Sequence, residues 1–232
     1  MDPTALKNSA LRTIALETSA VSALEHRIDD GFLHACELIL ASQGRVIVMG
    51  MGKSGHIANK IAATLASTGT PAHFVHPAEA SHGDIGMVTD QDVVIAISNS
   101  GTTLEIESIL PILKRKGVKL VTLTGNTDST LARQADANLD VSVAQEACPL
   151  GLAPTTSTTA ALVMGDALAM ALLEARGLPL RTLPFPIPAA SWDADYCSRS
   201  AISCTVAGIF PPSPWIPASV IPCWKFHPRN WV

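Results

Sequence analysis

The stretch VIVMGMGKSGH, Val46 to His56, decides the fold: an apolar strand runs into a glycine-rich turn carrying a lysine and a serine. A turn of this kind presents unpaired backbone N–H groups and the positive end of a helix dipole. A P-loop reading needs glycine five residues before the glycine of Gly-Lys-Ser, and Ile47 stands there. Gly50, Gly52 and Gly55 do match G-x-G-x-x-G. A dinucleotide fold, however, also places an acid about 20 residues further on, at the end of its second strand. That strand ends His-Phe-Val-His-Pro here, and Glu79 comes late. What remains is an electropositive turn at a helix N-terminus, suited to a small anion or a phosphorylated ligand, with Lys53 and Ser54 as its candidate residues.

Outward from this turn, short apolar runs alternate with amphipathic segments. The pattern predicts strands over 45–49, 72–76, 92–98, 119–124 and 138–143, and helices over 54–67, 103–116, 129–135 and 156–176. Helical-period apolar positions before the first strand (Leu11, Ile14, Leu16, Leu24, Ile28, Leu33) predict one or two helices within residues 1–42. Strands alternating with helices imply right-handed crossovers and a parallel sheet covered on both faces. The expected fold of residues 43–178 is therefore α/β, a doubly wound three-layer sandwich with a five-stranded parallel sheet, binding its ligand beyond the carboxyl ends of the strands.

The totals narrow the function. The 232 residues suffice for one large domain plus a tail, and a net charge of −4 without like-charge blocks argues against a nucleic-acid or anionic-membrane surface. The N-terminus lacks the apolar run of a signal peptide, and no unbroken apolar stretch reaches the about 20 residues of a membrane span. A cytoplasmic protein is the expectation. Five irregularly spaced cysteines suit neither a disulfide framework nor a zinc ribbon.

Two more strand-to-helix junctions are rich in hydroxyls. ISNSGTTLE (97–105) sets Ser98, Ser100, Thr102 and Thr103 around Gly101, and APTTSTTA (153–160) opens the last helix with Thr156 and Ser157. Helix capping alone could account for each cluster. Three clusters at equivalent junctions favour one shared phosphate site.

With these stretches in view, the chain resembles the sugar isomerase (SIS) domain family, and within it the bacterial D-arabinose 5-phosphate isomerases. The resemblance rests on GMGKSGH, STGTPAHFVHPAEASHGDIGMV, AISNSG and EACPLGLAPTTSTTAALVMGDALA, and covers about residues 40–178. It implies interconversion of ribulose 5-phosphate and arabinose 5-phosphate on the route to the Kdo sugar of lipopolysaccharide, by a cytoplasmic homotetramer that carries C-terminal CBS modules. It also implies that Lys53, Glu105 and Glu146 are catalytically relevant and that Gly69, Thr70 and His82 touch substrate. His76 corresponds to a position that can bind zinc, as an inhibitory or incidental ion. Enediol chemistry needs a base at carbon, an acid for the oxygens and a phosphate anchor, with no cofactor. A surface glutamate, with a pKa of about 4.3, is a weak base, so partial burial is expected to raise that of the base. Base and acid are not assigned between the two glutamates. A non-catalytic sugar-phosphate sensor is the alternative, though such regulators carry a basic N-terminal DNA-binding domain that the first 40 residues do not resemble.

The resemblance stops abruptly. All four tryptophans and ten of the sixteen prolines lie after residue 178, and Ile187 stands where the family places the histidine of LSHPGG. Codons allowed for Pro184–Cys197 can be read in a second frame as Leu-Ser-His-Pro-Gly-Gly-Lys-Leu-Gly-Arg-Arg-Leu-Leu. Residues 179–232 are therefore expected to be an out-of-frame, unstructured tail that follows a frameshift near Gly177–Arg181.

Overall fold

Val46–Gly50 (β1) is buried along its whole length and is an inner strand of a parallel sheet, second from one edge. The computed structural model describes residues 2–177; the expected tail, and Ile187 within it, lie outside the described residues. The other strands are Ala72–Phe74 (β2), Val93–Ser98 (β3), Lys119–Thr124 (β4) and Ala137–Asp140 (β5), in the order β2-β1-β3-β4-β5 with every pairing parallel. The expected α/β sandwich and its five-stranded sheet are both present.

Strand side chains alternate between faces, so each strand feeds two cores. Val46, Val48, Ile95 and Leu123 pack on one side with Phe32 and Ile39 of α2 (Asp30–Ala41), Ile61 and Leu65 of α3 (Gly52–Ser67), and Met164 and Leu168 of α7 (Thr156–Arg176). Ile47, Met49, Val94 and Ala96 face the other side, against Ala80 of α4 (Pro77–Ser81), Ile106 and Ile109 of α5 (Leu104–Lys116), and Leu131 of α6 (Thr130–Gln134).

The first helix, α1 (Pro3–Ala23), differs from the rest. Its start follows from Asp2, whose carboxylate accepts the Thr4 N–H ahead of Pro3, and it lies against α7 without one buried residue. A short 3₁₀ turn, Leu24–Arg27, joins it to α2. The apolar period correctly marks helices in this region, yet of its positions only Leu24 is buried; Leu11, Ile14, Ile28 and Leu33 are exposed, and Phe32, Ala35 and Ile39 join Leu24 in the core. One strip of helix meets α7, so most of the α1 surface has no partner among the described residues.

α7 has the 21-residue length and hydropathy of a membrane-crossing helix, although the sequence shows no unbroken apolar run; half of that window is buried within the fold. Gly165 brings it close to α3, since a Cβ there would lie 2.2 Å from Ile61 Cδ1.

Candidate functional site

Because all strands are parallel, their carboxyl ends share one edge, and the crossovers leaving β1 and β3 depart in opposite directions. A crevice opens between such diverging connections. Here it is a cavity of about 300 Å3, lined by Met51 and Ser54 after β1, by Ser98, Asn99, Ser100 and Thr103 at the end of β3, and by Ser157 and Thr158 of α7 over an apolar floor of Ile57, Leu123 and Ala161.

Glycines shape the rim. A Cβ on Gly50 would sit 2.7 Å from the Ser54 carbonyl oxygen, and one on Gly55 would sit 2.7 Å from the Gly50 carbonyl oxygen, so only this pair lets β1 run directly into α3. Gly101 has φ +67°, and a Cβ there would lie 2.0 Å from Ser129 Oγ. The β3 loop is thereby pressed against the start of α6, where Leu131 donates its N–H to the Gly101 carbonyl at 3.1 Å. Within the loop, Ser98 Oγ accepts the Gly101 N–H at 3.0 Å and lies 2.7 Å from Thr103 Oγ1. Among the described residues no side chain caps α3 or α5, so the starts of both helices can meet an anion at the crevice. Among the described residues no charged side chain lines the cavity. An anion held there would be bound by hydroxyls and amide N–H groups.

Glu146 stands at the back of this arrangement, in the loop between β5 and α7. Its Oε2 accepts the Thr155 N–H at 2.8 Å, the Thr155 hydroxyl at 3.1 Å and the Ser157 N–H at 3.3 Å, while Oε1 takes the Ser157 hydroxyl. Burial pushes its pKa upward, as expected of a base, but the hydrogen bonds from Ser157 and Thr155 together outweigh burial and hold it below the ordinary value. The carboxylate is thus kept ionised and does for α7 what a cap residue does elsewhere. The expectation that burial raises a catalytic glutamate does not hold here, because the loop supplies four donors to the charged form.

The structure gathers Ser54, Ser98, Ser100, Thr103 and Ser157 around one cavity. Lys53 is exposed next to Ser54, and Glu105 is exposed on the first turn of α5, both outside the lining. Thr156 is buried, and its Oγ1 accepts the Ala147 N–H at 3.0 Å, bracing the Glu146 loop from beneath. Gly69 and Thr70 lie at the opposite edge of the sheet, where Val46 at the start of β1 donates its N–H to Pro71 next to them. The Thr70 hydroxyl is buried there without a hydrogen-bond partner among the described residues. His82 ends α4 and is exposed. His76 begins that helix, its Nδ1 accepting the Ala78 N–H at 3.3 Å. Among the described residues no group of three or more His, Cys, Asp and Glu is placed to hold a metal. Cys36 and Cys148 are free and half-buried. Sequence reasoning missed Met51, Asn99 and Thr158, although each lies inside or directly beside a quoted hydroxyl or glycine cluster.

The SIS domain model matches residues 39–171. The chain is 64% identical to arabinose 5-phosphate isomerase KdsD of Pseudomonas aeruginosa over 181 residues, which is 78% of this chain and 56% of that protein. It is 62% identical over 164 residues to the protein of the same name in Escherichia coli K12, covering 71% of this chain and 50% of the relative. The chain thus spans about half the length of the curated relatives it matches. Among solved structures, Escherichia coli CFT073 c3406 in complex with A5P superposes with a TM-score of 0.72 at 44% identity, covering 78% of this chain and 96% of that one.

Proposed function

The chain belongs to the SIS domain family, and from that premise we propose that it interconverts D-ribulose 5-phosphate and D-arabinose 5-phosphate through a cis-enediol. The observation that carries this reading is the single crevice in which hydroxyls from three strand-to-helix junctions meet, with the ionised Glu146 bonded to one of them, Ser157. A phosphate is an oxyanion with several acceptor atoms, and such a ring of neutral donors at uncapped helix starts suits it. The choice of sugar follows the relatives named for arabinose 5-phosphate isomerase, at 62% and 64% identity.

In this reading Ser98, Ser100 and Thr103 anchor the phosphate together with Ser54 and Ser157, while Thr156 supports the loop behind them. Glu105 and Glu146 divide the base and acid roles, taking a proton from the carbon beside the carbonyl and returning one to its neighbour. Lys53 stabilises the developing enediolate oxygen. Gly69, Thr70 and His82 lie outside the lining of this chain's crevice; Gly69 and His82, which keep exposed surface, reach substrate from a neighbouring subunit of a homotetramer, whereas Thr70 is buried within its own chain. No step is routed through zinc at His76 or through any cofactor. The product serves Kdo and lipopolysaccharide synthesis in the cytoplasm, without nucleic acid or membrane as a partner. The same reading takes residues 179–232 as an out-of-frame tail.

The test is turnover of ribulose 5-phosphate by the full chain and by its Glu105→Gln and Glu146→Gln variants. Conversion by the full chain, with a fall of about 100-fold or more in each variant, is the expected result. Tight binding of the sugar phosphate without turnover would instead favour a non-catalytic sensor.

A further inference from the structure

The loop that carries Glu146 leaves β5 at Asp140 and re-enters regular structure at Thr155. Each end is tied to the N-terminal segment, more than a hundred residues away in sequence. At the first end, Arg27 Nη1 donates to the Ser142 carbonyl at 2.5 Å and to the Asp140 carbonyl at 3.5 Å, while its Nε lies 3.5 Å from Asp140 Oδ2. Asp140 Oδ1 accepts the Ser142 N–H at 2.8 Å, so one guanidinium fixes both the turn and the carboxylate that shapes it. At the second end, the Thr159 hydroxyl lies 3.2 Å from Glu17 Oε2 and 3.1 Å from the Thr155 carbonyl, with one proton to share between them. Thr155 is itself a donor to Glu146 through both its N–H and its hydroxyl.

Among the described residues, Glu17 makes the only side-chain hydrogen bond that joins α1 to another element. A helix with no buried residue gains little from packing, so the position of its polar link is informative. It meets α7 at the turn that Glu146 holds, and Arg27, just past the end of α1, meets the strand end that leads into the same loop.

We propose that Arg27 and Glu17 are positioning residues, a two-point clamp by which the N-terminal segment holds the Glu146 loop in its working geometry. The inference rests on the isomerase reading for the role of Glu146. A fork of donors that satisfies two carbonyls and a carboxylate at once explains an arginine at position 27, because lysine offers a single ammonium for the three oxygens. Displacing a reacting group by about 1 Å can cost about 100-fold in rate, so a loosened loop is expected to reach kcat before it reaches binding.

The experiment compares the full chain with Arg27→Ala, Arg27→Lys and Glu17→Gln, and with Lys60→Ala, which removes an exposed α3–α7 ion pair and controls for general loosening. Hydrogen–deuterium exchange is followed by mass spectrometry over 142–158 and over β1, beside kcat and KM for ribulose 5-phosphate. Arg27→Ala is expected to speed exchange over 142–158 about tenfold, with β1 still protected. It is also expected to lower kcat while KM holds. Arg27→Lys should recover part of both effects, Glu17→Gln should act over 155–159, and Lys60→Ala should do neither. Unchanged exchange over 142–158, equal deprotection of β1, or a loosened loop with full kcat would each overturn the clamp. If the parent chain does not isomerise ribulose 5-phosphate, the isomerase reading fails on its own, and the exchange data still decide whether the clamp exists.

Discussion

Glu146 ties its loop to the helix that follows, since the bonds that hold it also hold the start of α7. Ser157→Ala removes one charge-assisted bond from a buried hydroxyl, and the expected loss is about 1.5 kcal/mol, at the low end because Glu146 is partly solvated. Denaturant unfolding measures it. The pH dependence has a definite sign. A carboxyl whose folded pKa is lowered contributes its full stability above the unfolded value of about 4.3, and that contribution is lost as pH falls through the lower folded value. Asp92 and Asp136 are lowered as well, by hydrogen bonds from Arg45 and Thr89 and from Leu120 and Lys119 that outweigh the upward push of burial. Stability should therefore drop steeply on acidification. Ser157→Ala should flatten the part due to Glu146 and move the acid limb of the activity profile upward, whereas an unchanged limb would show that Glu146 does not titrate in that profile. The sequence showed the glutamate and the hydroxyls, but not that one serves the other. That relation depends on the loop closing back, over the nine positions from Glu146 to Thr155, onto the helix it leads into.

At the scale of elements, the glycines of the opening turn were legible from spacing alone, and the structure supplies their reason in the contact between β1 and α3. Gly55→Ala is expected to destabilise by about 1–3 kcal/mol, since its Cβ would meet a backbone carbonyl. Gly165→Ala should cost at least as much, because its Cβ would press on Cδ1, Cγ1 and Cγ2 of Ile61, a β-branched side chain with no exposed surface. A smaller loss than that of Gly55→Ala in thermal melts would contradict this. The strand over 138–143 was read too long for an identifiable reason. Val141 and Val143 continue the apolar alternation, but Asp140 Oδ1 and Arg27 take the Ser142 N–H and carbonyl out of the ladder. Helix α4 escaped the periodic pattern because five residues make barely one turn, although Pro77 after a capping His76 marks its start. Gly69 and Thr70 fall at the far edge of the sheet because they lie between the end of α3 and the start of β2, which the predicted helix, strand and parallel pairing already implied.

Among the described residues, α7 covers only part of the N-terminal helix. Leu6, Leu11 and Ile14 are 56%, 54% and 62% exposed on a helix with no buried residue, and we propose that another copy of the chain covers them. Replacing Leu6 and Ile14 with serine should lower the mass measured by light scattering, and an unchanged mass would place the contact elsewhere. The coding DNA tests the tail: a second frame that reads Leu-Ser-His-Pro-Gly-Gly from the third base of the Pro184 codon supports the frameshift, and its absence rejects it. The central claim, that this crevice runs enediol chemistry on a pentose phosphate, is met most directly by NMR of ribulose 5-phosphate incubated with the full chain in heavy water. Arabinose 5-phosphate bearing deuterium at C2 is the expected product. Ribulose 5-phosphate recovered unchanged, with both of its C1 protons retained, would contradict the account.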